Sequence, residues 1–335
     1  MDGMWDDSDH KAMAMKVAME RFAMNSVAGQ FAPPTWVDKM LTQVPANRFD
    51  YGKRIVVDNE NLNLFEPFAT CLFTLSQVSE FAAATGDAAM QTRVMTTITR
   101  SASALARWHD VLFFYGLEDD PKTGGPVKLP PGVKLGPYLK AGDPNTPLGL
   151  RQAARAAELE IPAEKDPIYV GSSRPDGTVP LLNEDLVTAA YKAVLRLEGR
   201  GYYTTYHLIL GQRLWEELHR PTRGSLVLPR DRIEPTLQGG TFHRTTTIPD
   251  KEALLASLDG PTFDCVIAAD SNAHPGFEVL PTEVDGQTIY RARIVERFAP
   301  RIREYRAIVR LEIDPDWPPA LPTGPAARVG PPAKI

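Results

Sequence analysis

The spacing of apolar residues divides the chain into helical and extended stretches. In residues 11–27, alanine and methionine dominate and apolar side chains recur with nearly helical spacing. This pattern predicts an amphipathic helix near the amino terminus, with an apolar stripe that includes Met15, Met19 and Phe22. A methionine stripe is usually adaptable packing surface, and less often a groove for a partner.

Residues 54–75 show the alternation and the β-branched and aromatic content of strands, interrupted by the polar turn Asp58-Asn59-Glu60-Asn61. We therefore predict a long two-stranded excursion from the body of the protein. Thr74, followed three residues later by Gln77, fits a capping box and predicts a helix start. A second start signal after Gly86-Asp87 predicts the longest helix of the chain, ending at Gly116.

The second half of the chain changes from helix to strand. We expect a helix capped by Asn183, on which Val187, Tyr191 and Val194 share a stripe, and then a strand from Tyr206 to Leu210. A short helix is expected around residues 214–218. Beyond residue 249 the pattern is almost entirely β, with Asp285-Gly286 as a hairpin turn. The last strand, 305–313, is predicted to have one apolar face and one charged face.

Composition limits the class of protein. A chain of 335 residues with 43% hydrophobic residues can bury a large core, and a net charge of -5 gives no polybasic signature of nucleic-acid binding. The acidic amino terminus does not resemble a signal peptide, and no apolar run is long enough to cross a membrane. Cys71 and Cys265 are far apart in apolar contexts, which favours a reduced, cytoplasmic location.

Motifs that would carry catalysis or metal binding are missing, so we predict no catalytic residue and no metal site. The six histidines share no metal-ligand spacing. The most suggestive local cluster is Trp108-His109-Asp110, but neighbouring residues of a helix point in different directions, which favours packing over catalysis. We interpret the acidic run at 118–120 as solvated surface. The arginine-rich strands beyond residue 290 are read as a charged sheet face or subunit contact rather than a phosphate site.

The order of these elements resembles the encapsulins, shell proteins of nanocompartments. The resemblance covers roughly residues 48–313 in short motifs. They are Glu66-Pro67-Phe68, Phe73-Thr74-Leu75, the run from Trp108 to Gly116, the run from Gly201 to Leu210 followed by Arg213-Leu214-Trp215, Gln238 to Thr241, Thr247-Ile248-Pro249, Ala269-Asp270, and Gly276-Phe277-Glu278.

The resemblance implies an α+β fold of the HK97 capsid type, with a P-domain that contains a spine helix, an A-domain and an extended E-loop. The divisions it implies are an N-terminal arm (1–47), the E-loop (48–76), the P-domain (77–182) with a Gly/Pro-rich insertion (117–147), the A-domain (183–275), a β return of the P-domain (276–313) and a disordered proline-rich tail (314–335).

The same resemblance implies a self-assembling icosahedral shell whose partners are its own copies and a cargo protein. That cargo would carry a short targeting peptide and would be of the peroxidase or ferritin-like kind, with neither a membrane nor nucleic acid as partner. The site residues implied are Met15, Met19 and Phe22 for cargo; Arg220, Thr222, Arg223, Gly224 and Ser225 for a pore; and Phe65, Phe68 and Leu72 for the inter-subunit arm. No cofactor is predicted, because Val78 stands where some encapsulins carry an aromatic residue that stacks on flavin.

Two other readings stay open at this point. A major capsid protein of a tailed phage has the same fold but packages DNA, and it would be located in a virion. Fewer than fifty residues precede the arm, which favours the encapsulin. A cytoplasmic α+β enzyme with an unrecognised site is the alternative from a different class, and particle size would separate it from a shell protein.

Overall fold

The computed structural model describes most of the chain. The described residues are 8–50, 56–58, 61–84, 87–117, 133–134, 145–161, 166–172, 180–222, 226–269, 274–284 and 287–317. The predictions for the run at 118–120, the loop tip 223–225, the hairpin turn at 285–286 and the tail beyond residue 317 concern residues outside these ranges. None of the helices in these ranges combines the length and apolar character that a membrane span requires.

Nine α-helices lie in the described ranges. They are α1 (Ser8–Asn25), α2 (Ala28–Phe31), α3 (Leu75–Ala83), α4 (Asp87–Met90), α5 (Arg93–Tyr115), α6 (Leu150–Glu160), α7 (Leu182–Gly199), α8 (Gln212–Leu218) and α9 (Pro229–Ile233). The strands are β1 (Pro34–Val37), β2 (Gln43–Pro45), β3 (Arg48–Asp50), β4 (Val56–Asp58), β5 (Asn61–Asn63), β6 (Phe68–Thr74), β7 (Val133–Lys134), β8 (Ile168–Val170), β9 (Tyr206–Leu210), β10 (Phe242–Arg244), β11 (Glu252–Ser257), β12 (Phe263–Ala268), β13 (Gly276–Val284), β14 (Gln287–Val295), β15 (Phe298–Ile302) and β16 (Ile308–Ile313).

A five-stranded mixed sheet, in the order β10-β9-β11-β16-β8, organises one half of the molecule. Strands β9 and β11 are buried along their whole length, and α7 packs against the sheet through one apolar face. Strand β16 lies inside this sheet, antiparallel to β11. The sequence-based division assigned β16 to the β return with residues 276–302, so the structure moves it to the sheet of the 183–275 region.

A second sheet, in the order β13-β14-β6-β7, forms the base of the extended excursion. Strands β13 and β14 pair antiparallel, with residue 284 opposite residue 287. On one face of β6, Cys71 and Phe73 are buried against the long helix α5 and the amino-terminal helix α1. The other face carries Leu72, which is exposed because no described element covers it. The residues predicted to form the excursion therefore contribute strand β6 to this sheet. They also contribute β4 and β5 to the small antiparallel pairs β3–β4 and β2–β5.

A three-stranded sheet, β1-β12-β15, joins the amino-terminal part of the chain to the core. Strand β1 runs parallel to β12, with Pro34 opposite Cys265, while β15 is antiparallel to β12. The sequence pattern did not predict β1 or β15 as separate strands, since each is only four or five residues long. Their pairing brings residues 34–37 beside residues 263–268, more than 200 positions away in sequence.

The helix boundaries agree with the predictions in part. The capping box is confirmed, because the Thr74 hydroxyl accepts from the Gln77 backbone amide and the Gln77 side-chain oxygen accepts from the Thr74 backbone amide. The single long helix predicted after Asp87 is divided, since Thr92 caps a new helix that begins at Arg93. The prediction that Asn183 caps a helix is wrong: α7 starts one residue earlier, and the Asn183 amide donates instead to carbonyls of residues 220 and 221.

Candidate functional site: the N-terminal segment and its groove

Residues 8–37, here called the N-terminal segment, lie across the long helix α5 and are fixed at their middle by one buried carboxylate. Asp110 accepts hydrogen bonds from the backbone amides of Val27 and Ala28, both at 2.9 Å, and from the Ser26 hydroxyl at 3.1 Å. These bonds satisfy amides at the start of α2 that would otherwise lack partners. Burial raises the pKa of Asp110, and the hydrogen bonds offset only part of that effect.

A cluster of charged side chains, here called the Glu296 cluster, lies under the carboxyl-terminal half of α1. Glu296 Oε1 is 2.7 Å from His109 Nδ1 and 2.8 Å from His274 Nε2. Phe22 covers both imidazoles edge-on, with ring centroids 5.4 and 5.1 Å away, and Phe298 stacks on His109 at 4.2 Å. The cluster therefore joins α1, α5 and the loop before β15 through charge and aromatic contact together.

Within this cluster the pKa of His109 is raised and that of Glu296 is lowered. Burial by itself would lower the pKa of His109, but the neighbouring Glu296 carboxylate and Cys265 raise it well above its usual value. Burial would raise the pKa of Glu296, but the two histidines lower it to about 2. His109 and Glu296 are thus both ionised around neutral pH. The second carboxylate oxygen of Glu296, Oε2, is buried and has no hydrogen-bond partner among the described residues.

A second cluster, here called the histidine pair, meets the other end of the N-terminal segment. His207 Nδ1 and His243 Nε2 are 3.0 Å apart, and Thr241 Oγ1 is 2.8 Å from the same His243 nitrogen. Phe31 packs on both rings, with centroids 5.9 Å from His207 and 5.1 Å from His243. Burial lowers the pKa of both histidines, and that of His243 falls to about 4 with a contribution from His207. This cluster is therefore neutral at pH 7.

A groove of about 540 Å³ opens between α1, the loop after β1 and the start of β13. Its apolar lining comes from Met15 of α1, Met40, Phe277 and Val295, and its polar lining includes Lys11, Lys39, Arg297, His274 and Glu296. Arg297 is itself fixed by Glu66, at 2.7 Å. The groove can therefore accept apolar side chains of an extended segment while its ends meet polar groups.

The three residues predicted to bind cargo separate into two kinds. Met15 lines the groove, and Met19 is half-buried on the same helix. Phe22 is buried against His109 and His274, so it packs within its own subunit and is not available to a partner. Sequence spacing could not distinguish the buried Phe22 from the groove-lining Met15, because the side chains that contact Phe22, His109 and His274, are distant from it in sequence. The groove residues Met40 and Phe277 were missed, since neither belongs to a motif.

The predicted arm residues also differ from one another. Phe65 is fully buried and forms a bridge with Phe298, so the prediction that it contacts another subunit is wrong for this residue. Phe68 is half-buried under the guanidinium of Arg293, which lies 4.1 Å from the ring centroid. Leu72 is 62% exposed, and of the three it alone presents a large apolar surface outward.

The predicted pore loop is described only at its start. Arg220 and Thr222 follow α8, whereas Arg223, Gly224 and Ser225 lie outside the described residues. The Arg220 guanidinium is 2.9 Å from the Glu217 carboxylate, which Arg213 also approaches at 3.2 Å. Arg220 therefore shares one carboxylate with Arg213, and the pore remains a prediction.

The remaining sequence candidates have structural roles. His109 and Asp110 point to different partners, Glu296 and the turn before α2, as expected for neighbours on a helix. Val78 is buried in the core beside α5. The arginine-rich strands use several of their guanidinium groups in ion pairs, such as Arg301 with Asp264 and Arg310 with Glu158. Among the described residues no group of three side chains is arranged to hold a metal ion.

Comparison with solved structures gives the class of this fold. A virus-like particle from Pyrococcus furiosus superposes with a TM-score of 0.55 at 13% identity, covering 89% of this chain and 98% of that one. A capsid of a native GTA particle gives 0.50 at 13% identity, covering 86% and 89%. A phage-related protein from Bordetella bronchiseptica RB50 gives 0.50 at 12% identity, covering 90% and 96%. The fold is the α+β HK97 fold of shell proteins.

A sequence comparison finds a family similarity over part of the chain. Residues 147–277 match the Linocin_M18 family model, described as encapsulating protein for peroxidase. No curated protein matches the chain. The matched residues lie within a chain that has the HK97 fold.

Proposed function

We propose that copies of this chain assemble into a closed icosahedral compartment that encloses a cargo protein, and that the groove beside α1 holds a short segment of that cargo. The observation that carries the proposal is the combination of the HK97 fold with a partly apolar groove of about 540 Å³. We assign the chain no catalytic role of its own, and we expect the compartment to be cytoplasmic.

Assembly is supported by apolar surface that a lone subunit leaves in water. Leu72 on β6 is one such side chain, and a sheet that exposes large apolar residues is typically covered by another chain. Copies that make heterologous contacts of this kind form closed shells when the rotations between them close. The arm proposal therefore rests on Leu72, with Phe68 supporting it from the same strand.

Negative-stain images and light scattering of the purified chain test assembly. We expect uniform closed particles at near-physiological salt. A chain that remains monomeric or dimeric under these conditions contradicts the proposal. Nuclease-protected DNA or RNA inside the particles would favour the phage-capsid alternative, so nucleic-acid content is measured on the same sample.

Cargo capture is supported by the chemistry of the groove. Met15 and Met40 are adaptable side chains that fit varied apolar partners. Glu296 Oε2 is a buried acceptor that a bound water or a donor group of a ligand would satisfy, since an unpaired buried acceptor is costly. A peroxidase is the first cargo to test, because the family description names one; a ferritin-like protein is the second.

The groove is tested by co-expression of the chain with a candidate cargo. We expect Met15→Asp and Met40→Asp to abolish co-purification of cargo while leaving particle size unchanged, since Met40 lines the groove and is 77% exposed. Met24→Asp is the matched control, because Met24 lies on the same helix but is 68% exposed and outside the groove. Equal cargo capture by the groove variants and the control contradicts the assignment of the groove.

A further inference from the structure

The groove beside α1 is basic in a chain that is acidic overall. The whole chain has 37 basic and 42 acidic residues. In the lining of the groove the balance is reversed, because Lys11, Lys39 and Arg297 stand against two carboxylates, Glu278 and Glu296. The charge of the groove is therefore a local property that the composition of the chain does not predict.

Two of these charged side chains are already paired within the subunit. Glu296 is 2.7 Å from His109, and the raised pKa of that imidazole keeps it positively charged around neutral pH. Arg297 is 2.7 Å from Glu66. The other charged side chains of the lining are Lys11, Lys39 and Glu278. With two lysines against one glutamate, the lining keeps an excess of positive charge for a ligand to meet.

Each lysine lies next to a methionine of the same wall of the groove. On α1, Lys11 precedes Met15 by one helical turn, so the two side chains share a face. In the loop after β1, Lys39 directly precedes Met40. The Lys39 carbonyl accepts a hydrogen bond from Arg297 at 2.9 Å, which holds this part of the loop in place before a ligand arrives.

We propose that the groove selects a cargo segment in which acidic side chains stand next to apolar ones. The carboxylates pair with Lys11 and Lys39, and the apolar side chains contact Met15 and Met40. The inference rests on the proposed function and adds the chemistry of the ligand to it. Complementary charge selects one partner over others, because juxtaposed like charges disfavour binding.

The acidic groups are assigned to side chains of the segment and not to its chain terminus. A terminal carboxylate is generally captured by a nest of backbone amides, whereas acidic motifs are met by basic side chains. The groove supplies its positive charge through the side chains of lysines on two different elements, α1 and the loop after β1. A segment that passes through the groove can therefore meet both lysines without ending there.

Three reporter proteins test the preference. A fluorescent protein is co-expressed with the full chain and carries a short segment in which leucine alternates with aspartate, asparagine or lysine. Glycine and serine residues follow the segment, so that its carboxylates are side chains. Fluorescence is measured per purified particle. We expect the parent chain to capture the aspartate reporter best and the lysine reporter least.

Lys11→Glu is compared with Lys16→Glu, its matched control. Lys16 is on the same helix and 77% exposed, but it lies outside the groove. We expect Lys11→Glu to capture the aspartate reporter about fivefold less than the parent, the effect of losing one exposed ion pair, and to capture the lysine reporter more. Lys16→Glu should keep the parental order, and both variants should form particles of parental size.

Equal capture of the three reporters by the parent overturns the inference, as does an unchanged order in Lys11→Glu. Capture only of a reporter whose chain ends at the segment also overturns it, since that result indicates recognition of a terminal carboxylate. In each case the groove assignment survives if Met15→Asp still abolishes capture of the candidate cargo. Capture of no reporter overturns the inference as well, and if the parent also captures no candidate cargo, the proposed cargo function fails with it.

Discussion

The N-terminal segment is anchored at two places that use histidine in opposite ways. Under α1, Phe22 covers the Glu296 cluster, in which a carboxylate between two imidazoles raises the pKa of His109 well above its usual value. Under α2, Phe31 covers the histidine pair, where no carboxylate of the described residues lies within hydrogen-bonding distance and burial lowers the pKa of His243 to about 4.

The difference teaches that the partner of a buried histidine, and not its burial, decides its charge. Both clusters are closed by a phenylalanine of the same segment, and both lie in the protein core. The first is held by an ion pair and the second by hydrogen bonds between neutral groups. Low pH, high pH and substitutions that remove a charge should therefore affect the two anchors differently.

The largest effect is expected from Glu296→Gln. The substitution leaves His109 buried beside an uncharged amide, and breaking a buried ion pair typically costs about 3–5 kcal/mol of unfolding free energy. Chemical denaturation measures it. Glu278→Gln is the control, since Glu278 is exposed and its nearest ion-pair distance is 3.9 Å. A loss below about 1 kcal/mol for Glu296→Gln would show that the ion pair is not what holds α1.

The next effect concerns the point between the two anchors. Asp110→Ala removes the acceptor for the Val27 and Ala28 amides and for the Ser26 hydroxyl, which should cost about 2–3 kcal/mol. Hydrogen exchange should accelerate at residues 26–31 more than in α7. Unchanged exchange at these residues would contradict the anchoring role of Asp110.

The pH dependence separates the clusters. Because the folded-state pKa of His243 is depressed from 6.5 to about 4, the unfolded state binds a proton first as pH falls, and stability decreases between about pH 6.5 and 4. Glu296 has a depressed pKa of about 2, so its contribution is lost only as pH falls from about 4.5 towards 2. His109 has a raised pKa, so its contribution is lost as pH rises above 6.5.

His243→Gln tests this assignment. The variant should show a flatter dependence of unfolding free energy between pH 6.5 and 4, while the loss below pH 4.5 that belongs to Glu296 should persist. A slope equal to that of the parent would mean that another group carries the acid sensitivity.

The smallest effect is expected from Thr241→Val. The hydroxyl is 2.8 Å from His243 Nε2 and 3.3 Å from His207 Nδ1, so its loss should cost about 1 kcal/mol in thermal or chemical unfolding. The same substitution should leave the pH dependence above 6.5 unchanged, because the Glu296 cluster dominates there. A change of the pH dependence in that range would show that the histidine pair and the Glu296 cluster are coupled.

Much of the fold could be predicted from local sequence. The strand at 206–210, the long helix ending at Gly116 and the capping box at Thr74 are confirmed because each depends on neighbours within a few residues. The short strands β1 and β15 could not be predicted, since each contains a proline, shows little alternation of apolar and polar residues, and pairs with a strand distant in sequence. The pairing of β16 with β11 was not predicted either, because these two strands are also distant in sequence.

The candidate site was predicted only in its location. The methionine stripe placed Met15 on a helix, and in the structure Met15 lines the groove, while its binding of cargo stays a prediction. Phe22 and Phe65 were assigned to partners because apolar spacing marks a face without saying what covers it. Phe298, which covers Phe65, and His274, which meets Phe22, lie far along the chain.

The sequence by itself determined the shell-protein resemblance, the helices with strong periodicity and the acidic, motif-poor composition, because these are properties of consecutive residues. Only the tertiary structure decided which histidines meet a carboxylate and which meet each other. Protonation depends on side chains brought within 3 Å from positions such as 109, 274 and 296, or 207 and 243. Electrostatic interaction and desolvation act through space, and spacing along the chain does not encode them.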